Sequence, residues 1–547
     1  MRNVSVALAL VVVAAGVVRL AAEEPATPPA AEENVALHFA RLDAERAARI
    51  LAERQSRAKS AADQLVAAQQ EKTAAQQAVK AAEQALAESE AALKKAEEAR
   101  QAAEKAAAEA TAALKAFAAD SAADADAKTK AEEAAETAAK AVTDATAQHK
   151  AAVEGKQAAQ AAREAAAKRV EQADAAIAEL TKAKSAADKA VADLAPVSKS
   201  AAERLAALAA APAAVDPAAA RLVHTFTYAR PVMVSAIDPS GEFVFGGTQD
   251  NSIQRWDLLL GEQVPMEGHR TWISSLAFEP KSSRLYSGGF TGRLYAWEAA
   301  EASPKPQRTI EAHRGQIRSI AFSPDGAYLA TAGNDRTVRI WNTADGTPVS
   351  ELTGHENHVY DIAFHPDGKH LVSGDLMGVV KQWEVGTWKH VRDLDASPLH
   401  KYDTTFQADC GGTRDMDFSP DGKWLAIGGI GEVTNAFAGI GKPTVLLFDW
   451  ESGELKNTLK PKDNFQGSVW GVRFHPSGEF LIGAGGGGGG GMWFWKPTES
   501  ESIHFVKLAN VAYGLAMHPD GLRLAVPLYN NSLAIYDLAP EPKAAAK

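Results

Sequence analysis

The stretch Ile317–Asn342, IRSIAFSPDGAYLATAGNDRTVRIWN, decides the fold. Its first six residues alternate as a half-buried strand does, and Tyr328–Thr331 opens a second such run. Between them Ser323-Pro-Asp-Gly326 puts proline second and glycine fourth, which fits a type I turn. The unit recurs. Further turns stand at Asp238–Gly241, His365–Gly368, Ser419–Gly422, His475–Gly478 and His518–Gly521, with a degenerate seventh at Glu279–Ser283. A later strand in each unit ends on an aromatic: Trp256, Trp297, Trp341, Trp383, Phe448, Trp495 and Tyr536, at separations of 41, 44, 42, 65, 47 and 41 residues. A repeat of ~40–45 residues with four short strands is a propeller blade. Seven copies predict an all-β seven-bladed β-propeller over residues 221–538. No fourth strand follows Asp537, whereas Arg221–Tyr228 precedes the first blade unclaimed. That strand is expected to complete blade seven and remove its exposed edge.

These residues resemble the WD-repeat (Trp-Asp repeat) β-propeller family. Blade three carries the full pattern, with Ala312-His313, Thr331, Asp335 and Trp341-Asn342. The resemblance maps the family's buried hydrogen-bond tetrad onto His313, Thr331, Asp335 and Trp341, a structural set. Other blades are partial: Gly268-His269 and Gly354-His355 keep one signature, and Trp256-Asp257, Phe448-Asp449 and Tyr536-Asp537 keep the dipeptide's form. Thr291 and Met377 stand where the tetrad aspartate belongs, so blades two and four are expected to lack that network.

The resemblance also implies a top face, into which the residue after the first inner-strand apolar position points. Aligning the blades gives Met233, Ser274, Arg318, Tyr360, Arg414, Trp470 and Tyr513, and Trp272 and His358 lie two residues upstream. Five of the seven are Tyr, Trp or Arg, the types enriched in binding hot spots. Packing of the narrow channel is the competing use of such aromatics.

Upstream, the composition changes. All 11 Trp, all 9 Tyr and 39 of the 41 Gly lie after residue 220, while 65 of the 160 residues from Leu51 to Ala210 are Ala. Leu37, Leu51, Leu65, Val79, Leu86, Leu93 and Leu114 are spaced by multiples of seven, with Ala40, Ala47, Ala61, Ala68, Ala75 and Ala82 three residues on. That period predicts a left-handed coiled coil over 35–211 with a shallow alanine layer. An antiparallel hairpin turning near Ala118–Lys130 is favoured; a continuous helix pairing with another chain, or a lone solvated helix, also fits. Charged seam positions (Lys72, Arg100, Lys156, Arg163, Lys184) read as snorkelling side chains. Ala195-Pro196-Val197 is expected to end the second helix, and 212–220 to be a linker.

At the N-terminus, Arg2, the apolar run Val4–Val18 and Leu20-Ala21-Ala22 read as an export signal over 1–22, followed by a flexible leader, 23–34. An uncleaved anchor is the rival, and only that would place the chain at a membrane. The halves 23–220 and 221–547 carry −6 and −7, which argues against a nucleic-acid partner. The single Cys410 excludes an internal disulfide or a multi-cysteine metal site. His400, Asp403, Asp409 and Cys410 lack metal-ligand spacing and read as a polar loop. Gly485–Gly491 lacks the phosphate-loop ending and reads as slack. No cofactor, metal or catalytic residue is called for. The expected protein is a periplasmic, cell-envelope or secreted non-catalytic scaffold that docks an unidentified protein or peptide. Its coil acts as spacer or self-association element. A channel enzyme (lactonase-like or quinone-dependent) and a carbohydrate-facing envelope tether are the alternatives.

Overall fold

The computed structural model describes residues 34–119, 125–210, 215–280, 282–405, 407–435 and 440–540. The expected signal and nearly all of the leader lie outside the described residues. Among those described, no helix is long and apolar enough to cross a membrane. Residues 48–196 form one compact unit, and both flanking helix ends together with the propeller form the other.

The first unit is the body of two helices, α1 (Val35–Ala119) and α2 (Ala125–Ala210), packed as a hairpin. Alanine makes this possible, since its lack of side-chain bulk favours helix and lets two helices approach closely; Ala75, Ala145, Ala166 and Ala173 are buried at the seam. Ion pairs record the direction. Glu83 meets Arg163 at 3.5 Å, Glu90 meets Lys156 at 3.1 Å and Glu97 meets His149 at 2.9 Å. One helix climbs by about seven residues per rung as the other descends, one rung per heptad of an antiparallel pair. Lys72 likewise reaches Asp174 at 2.6 Å. Lys72, Lys156 and Arg163 therefore do more than snorkel, whereas Arg100 and Lys184 pair within their own helices. Helix α2 does not stop at Pro196 but runs through it to Ala210. Proline costs one hydrogen bond there, and the burial of Ala201 and Leu208 beyond it offsets that loss.

The second unit contains seven four-stranded antiparallel sheets. Blade three runs Ile317–Phe322, Tyr328–Gly333, Val338–Asn342 and Pro348–Leu352. Arg221–Thr227 pairs with Ser532–Asp537 from Arg221↔Asp537 to Thr227↔Ser532, so the first strand completes the last blade. The turn histidines add a latch absent from the sequence reading. The Nε2 atoms of His365, His475 and His518 lie 2.9, 2.7 and 2.9 Å from the carbonyl oxygens of Gly422, Gly521 and Gly241 in the following blade.

Two loop expectations change. Gly485–Gly491 is not slack: Leu481–Gly486 and Gly490–Trp495 are paired strands, and a Cβ on Gly490 would sit 1.7 Å from the Asn510 carbonyl oxygen. These glycines allow a neighbouring backbone to come close. Blade five has long middle strands, Trp424–Asn435 and Ile440–Asp449. The polar loop holds a hairpin, His400–Asp403 against Ala408–Gly411, with His400 Nε2 2.9 Å from Asp409 Oδ1.

The helix ends are fastened where the ring closes. Arg46 binds Asp257 (3.4 and 2.5 Å), Arg204 bonds Asp537, and Arg523 reaches Asp43 at 3.1 Å. Phe39 packs edge-on against His518 at 5.4 Å, and Ala36, Ala40 and Leu208 join Leu522 and Ala539 in one apolar cluster. Arg46→Ala should lower stability in urea unfolding by about 3 kcal/mol, because it leaves the buried Asp257 carboxylate without its cation. Arg293→Ala, which breaks a solvent-screened pair to the largely exposed Glu311, should leave the urea midpoint nearly unchanged.

Candidate functional site

The inner-strand residues aligned in the sequence meet at one rim of the propeller. Arg318 stacks on Tyr360 at 4.3 Å, Arg414 covers the same ring at 4.6 Å and lies over Trp470 at 4.8 Å. Trp470 touches Tyr513 at 6.0 Å, and Tyr513 meets Tyr529 at 5.8 Å. Five predicted residues, one from each of blades three to seven, thus form an unbroken stack, each partly exposed. The alternation of guanidinium and aromatic plane is itself favourable, at about 0.5–2 kcal/mol per contact according to exposure.

The loop between each blade's second and third strands positions this rim. Asn334 accepts a 2.7 Å hydrogen bond from Arg318 Nε, and Tyr529 comes from the equivalent loop of blade seven. Neither residue was evident from the sequence, because only the fold brings those loops beside the inner strands. Met233 and Ser274 lie outside the stack. Met233 Sδ receives the Gln249 amide at 3.2 Å, and Ser274 donates to the Ile317 carbonyl at 2.5 Å. Trp272 pairs edge-on with Phe290 at 5.7 Å, both being nearly half exposed (45% and 46%). Burial, followed by the charges of Arg318 and Arg336, lowers the pKa of His358. Burial likewise lowers Arg318 and raises Tyr513. Among the described residues no carboxylate pairs with Arg318 or Arg414, and Arg414 Nε is buried without a hydrogen-bond partner.

Deeper on the inner strands, carboxylates tie blades together. Asp361 accepts from Met416 N at 2.6 Å, Asp415 from Val472 N at 2.7 Å and Arg473 at 2.6 Å, and Asp417 from Phe474 N at 2.6 Å. Burial raises all three, Asp417 to about 6, and the Asp415 charge raises Asp361 further. Their backbone commitments make them blade fasteners.

The tetrad geometry of blade three is complete. His313 Nδ1 lies 2.8 Å from Asp335 and Nε2 2.8 Å from Thr331 Oγ1, which also accepts from Trp341 Nε1 at 3.0 Å. Blade four corrects the sequence reading, for it has the same network. His355 contacts Asp375 at 2.8 Å and Ser373 at 2.7 Å, and Trp383 donates to Ser373 at 2.8 Å. The carboxylate comes from the strand end, two residues before the place Met377 occupies. Blade two retains His269, Ser287 and Trp297 but no acid at Nδ1. Burial lowers the His269 pKa to about 4.

Seven radial four-stranded sheets closed by the first strand define a β-propeller. The description "WD domain, G-beta repeat" matches residues 262–298, 304–342 and 346–384, and the C-terminal half is a WD-repeat β-propeller. The chain is 37% identical over 82 residues to a periodic tryptophan protein 2 homolog of Schizosaccharomyces pombe, covering 14% of this chain and 10% of that one. It is 34% identical over 67 residues to the kinesin-like protein KIF21B of Mus musculus and of Homo sapiens, 12% of this chain and 4% of theirs. It thus spans only a small part of these relatives. WD-repeat propellers generally bind protein partners and are generally non-catalytic scaffolds.

Because the folded pKa of His269 lies below its unfolded value, its neutral form contributes stability above about pH 6.5 that is lost as pH falls toward 4. The loss should approach about 3 kcal/mol. Thr291→Asp places a carboxylate where Asp335 stands in blade three. Urea titrations at pH 7 and 4.5 should show the variant more stable at both values and losing less on acidification than the parent.

Proposed function

We propose that this protein is an exported, non-catalytic scaffold whose propeller docks a protein or peptide partner on the rim formed by Arg318, Tyr360, Arg414, Trp470 and Tyr513. The unbroken stack carries this reading. It offers flat aromatic area whose conformational cost is already met, and two guanidiniums that pair with no carboxylate among the described residues. A segment bearing carboxylates beside an apolar or aromatic side chain suits it, and the net charge of −7 over residues 221–547 makes this basic rim locally distinct. Trp272, Phe290 and His358 extend the contact area on blades two and four. The helical hairpin serves as a spacer, and the basic start and apolar run Val4–Val18 support the export reading.

Peptide arrays probed with the full chain should select acidic–aromatic sequences. Trp470→Ala or Arg414→Ala should weaken the selected peptides at least tenfold, as hot-spot truncation does. His390→Ala, on an outer strand, should leave them unchanged. Binding indifferent to Arg318, Arg414 and Trp470 would reject the rim. For export, N-terminal sequencing of the protein from its native host should find Glu23 first in a periplasmic or secreted fraction. An intact Met1 in the cytoplasm would refute that part.

A further inference from the structure

One turn of the propeller departs from its siblings in a way that docking does not use. In blade four the sequence His365-Pro-Asp-Gly-Lys-His370 brings three donors together. His365 Nδ1 lies 2.8 Å from Asp367 Oδ1, His370 Nδ1 lies 3.8 Å from Asp367 Oδ2, and one donor atom from each residue falls within 4.8 Å of the others. Tetrahedral ligands at zinc distances stand about 3.3 Å apart, so small side-chain adjustments would bring the three onto one cation.

Two further features point to a ligand. His365 Nε2 faces the Gly422 carbonyl at 2.9 Å, which fixes its proton there; the Nδ1 lone pair accepts the Asp367 backbone N–H at 3.2 Å, and a bound ion would take that lone pair in its place. An imidazole that donates its other N–H to a backbone carbonyl is the usual second-shell arrangement of a metal-binding histidine. His370 Nδ1 is buried and has no hydrogen-bond partner. Trp450 stacks on His365 at 4.9 Å and meets His370 edge-on at 5.6 Å, restricting both rings.

The sibling turns supply the comparison. Blade seven has the same histidine and aspartate, His518 and Asp520, but Arg523 stands in the place of His370. Its guanidinium binds Asp520 at 2.7 Å, so a cation already fills the position. Blade six has Ser477 and Phe480 instead, and Phe480 stacks on His475 at 4.5 Å. In blade four the aspartate remains, the protein cation is gone, and a second imidazole has replaced it. Among the described residues no lysine or arginine pairs with Asp367.

We propose that His365, Asp367 and His370 bind one divalent transition-metal ion of the zinc class, with water completing its coordination. Two imidazoles and one carboxylate favour Zn2+ and its neighbours Co2+, Ni2+ and Cu2+ over Mg2+ or Ca2+. Since His365 also bonds Gly422, the bound ion would brace blade four against blade five. The proposal is independent of the docking rim.

The test uses the full, untagged chain freed of metal by chelation. Isothermal titration should find one Zn2+ site of Kd about 10 μM or tighter, the Co2+ form should show d–d absorption, and Zn2+ should raise Tm. The double variant Asp367→Ser/His370→Phe copies the turn that blade six already folds. It should keep the parent circular dichroism and lose Zn2+ affinity at least tenfold. His400→Ala/Cys410→Ser, at the other donor-bearing loop, should bind as the parent does. Absence of a stoichiometric site, or Zn2+ binding that survives the double variant, would overturn the proposal.

Discussion

The pairing of Arg221–Thr227 with Ser532–Asp537 is the contact on which the whole propeller depends. Each blade is a small sheet that cannot bury both faces alone, so its stability comes from its neighbours. An open array would leave two unprotected faces and a free edge. Here the edge of the last blade is taken up by the first strand, and the first blade gains a neighbour in the same step. The helix ends reinforce this seam, with Arg46 on Asp257 of blade one and Arg204 on Asp537 of blade seven. The aspartate of the repeat dipeptide thus acquires at these blades a second task, holding charge partners from outside the ring.

Repetition supplies the scaffold, and departures from it supply the chemistry. Blades two, three and four each bury a histidine, but the environment of its Nδ1 differs: nothing at His269, Asp335 at His313 and Asp375 at His355. The turn histidines differ in the same manner, with Arg523, Phe480 or His370 five residues on. Similar backbones in one chain make these positions internal controls, since geometry is nearly held constant while one side chain changes.

The seven blades, the closing strand and the helical hairpin were legible because each rests on a period or on a strand left without a partner. The rim was legible as a set of positions, since equivalent places in consecutive blades point the same way. Asn334, Phe290 and Tyr529 were not, because their contacts arise between a loop and an inner strand distant in sequence. Asp375 was missed for a narrower reason. Alignment asked for a carboxylate at one position, whereas a longer reach from the strand end serves equally well. The glycine run misled because composition suggested slack, and only backbone spacing at Asn510 reveals why a Cβ is excluded.

Charge is partitioned across the propeller unit in a way that net values conceal. Asp257, Asp520 and Asp537 meet Arg46, Arg523 and Arg204, so those carboxylates and guanidiniums largely satisfy one another. At the rim the arrangement differs. Arg318 and Arg414 rest on aromatic faces, which hold a guanidinium in place without a carboxylate partner among the described residues. Pairing each with an acid would have been a simple substitution in a chain with 69 Asp and Glu. The aromatic alternative preserves a positive, rigid surface within an acidic molecule. On the proposed docking reading, that combination would favour encounter with an acidic segment and resist collapse of the rim onto the protein's own carboxylates.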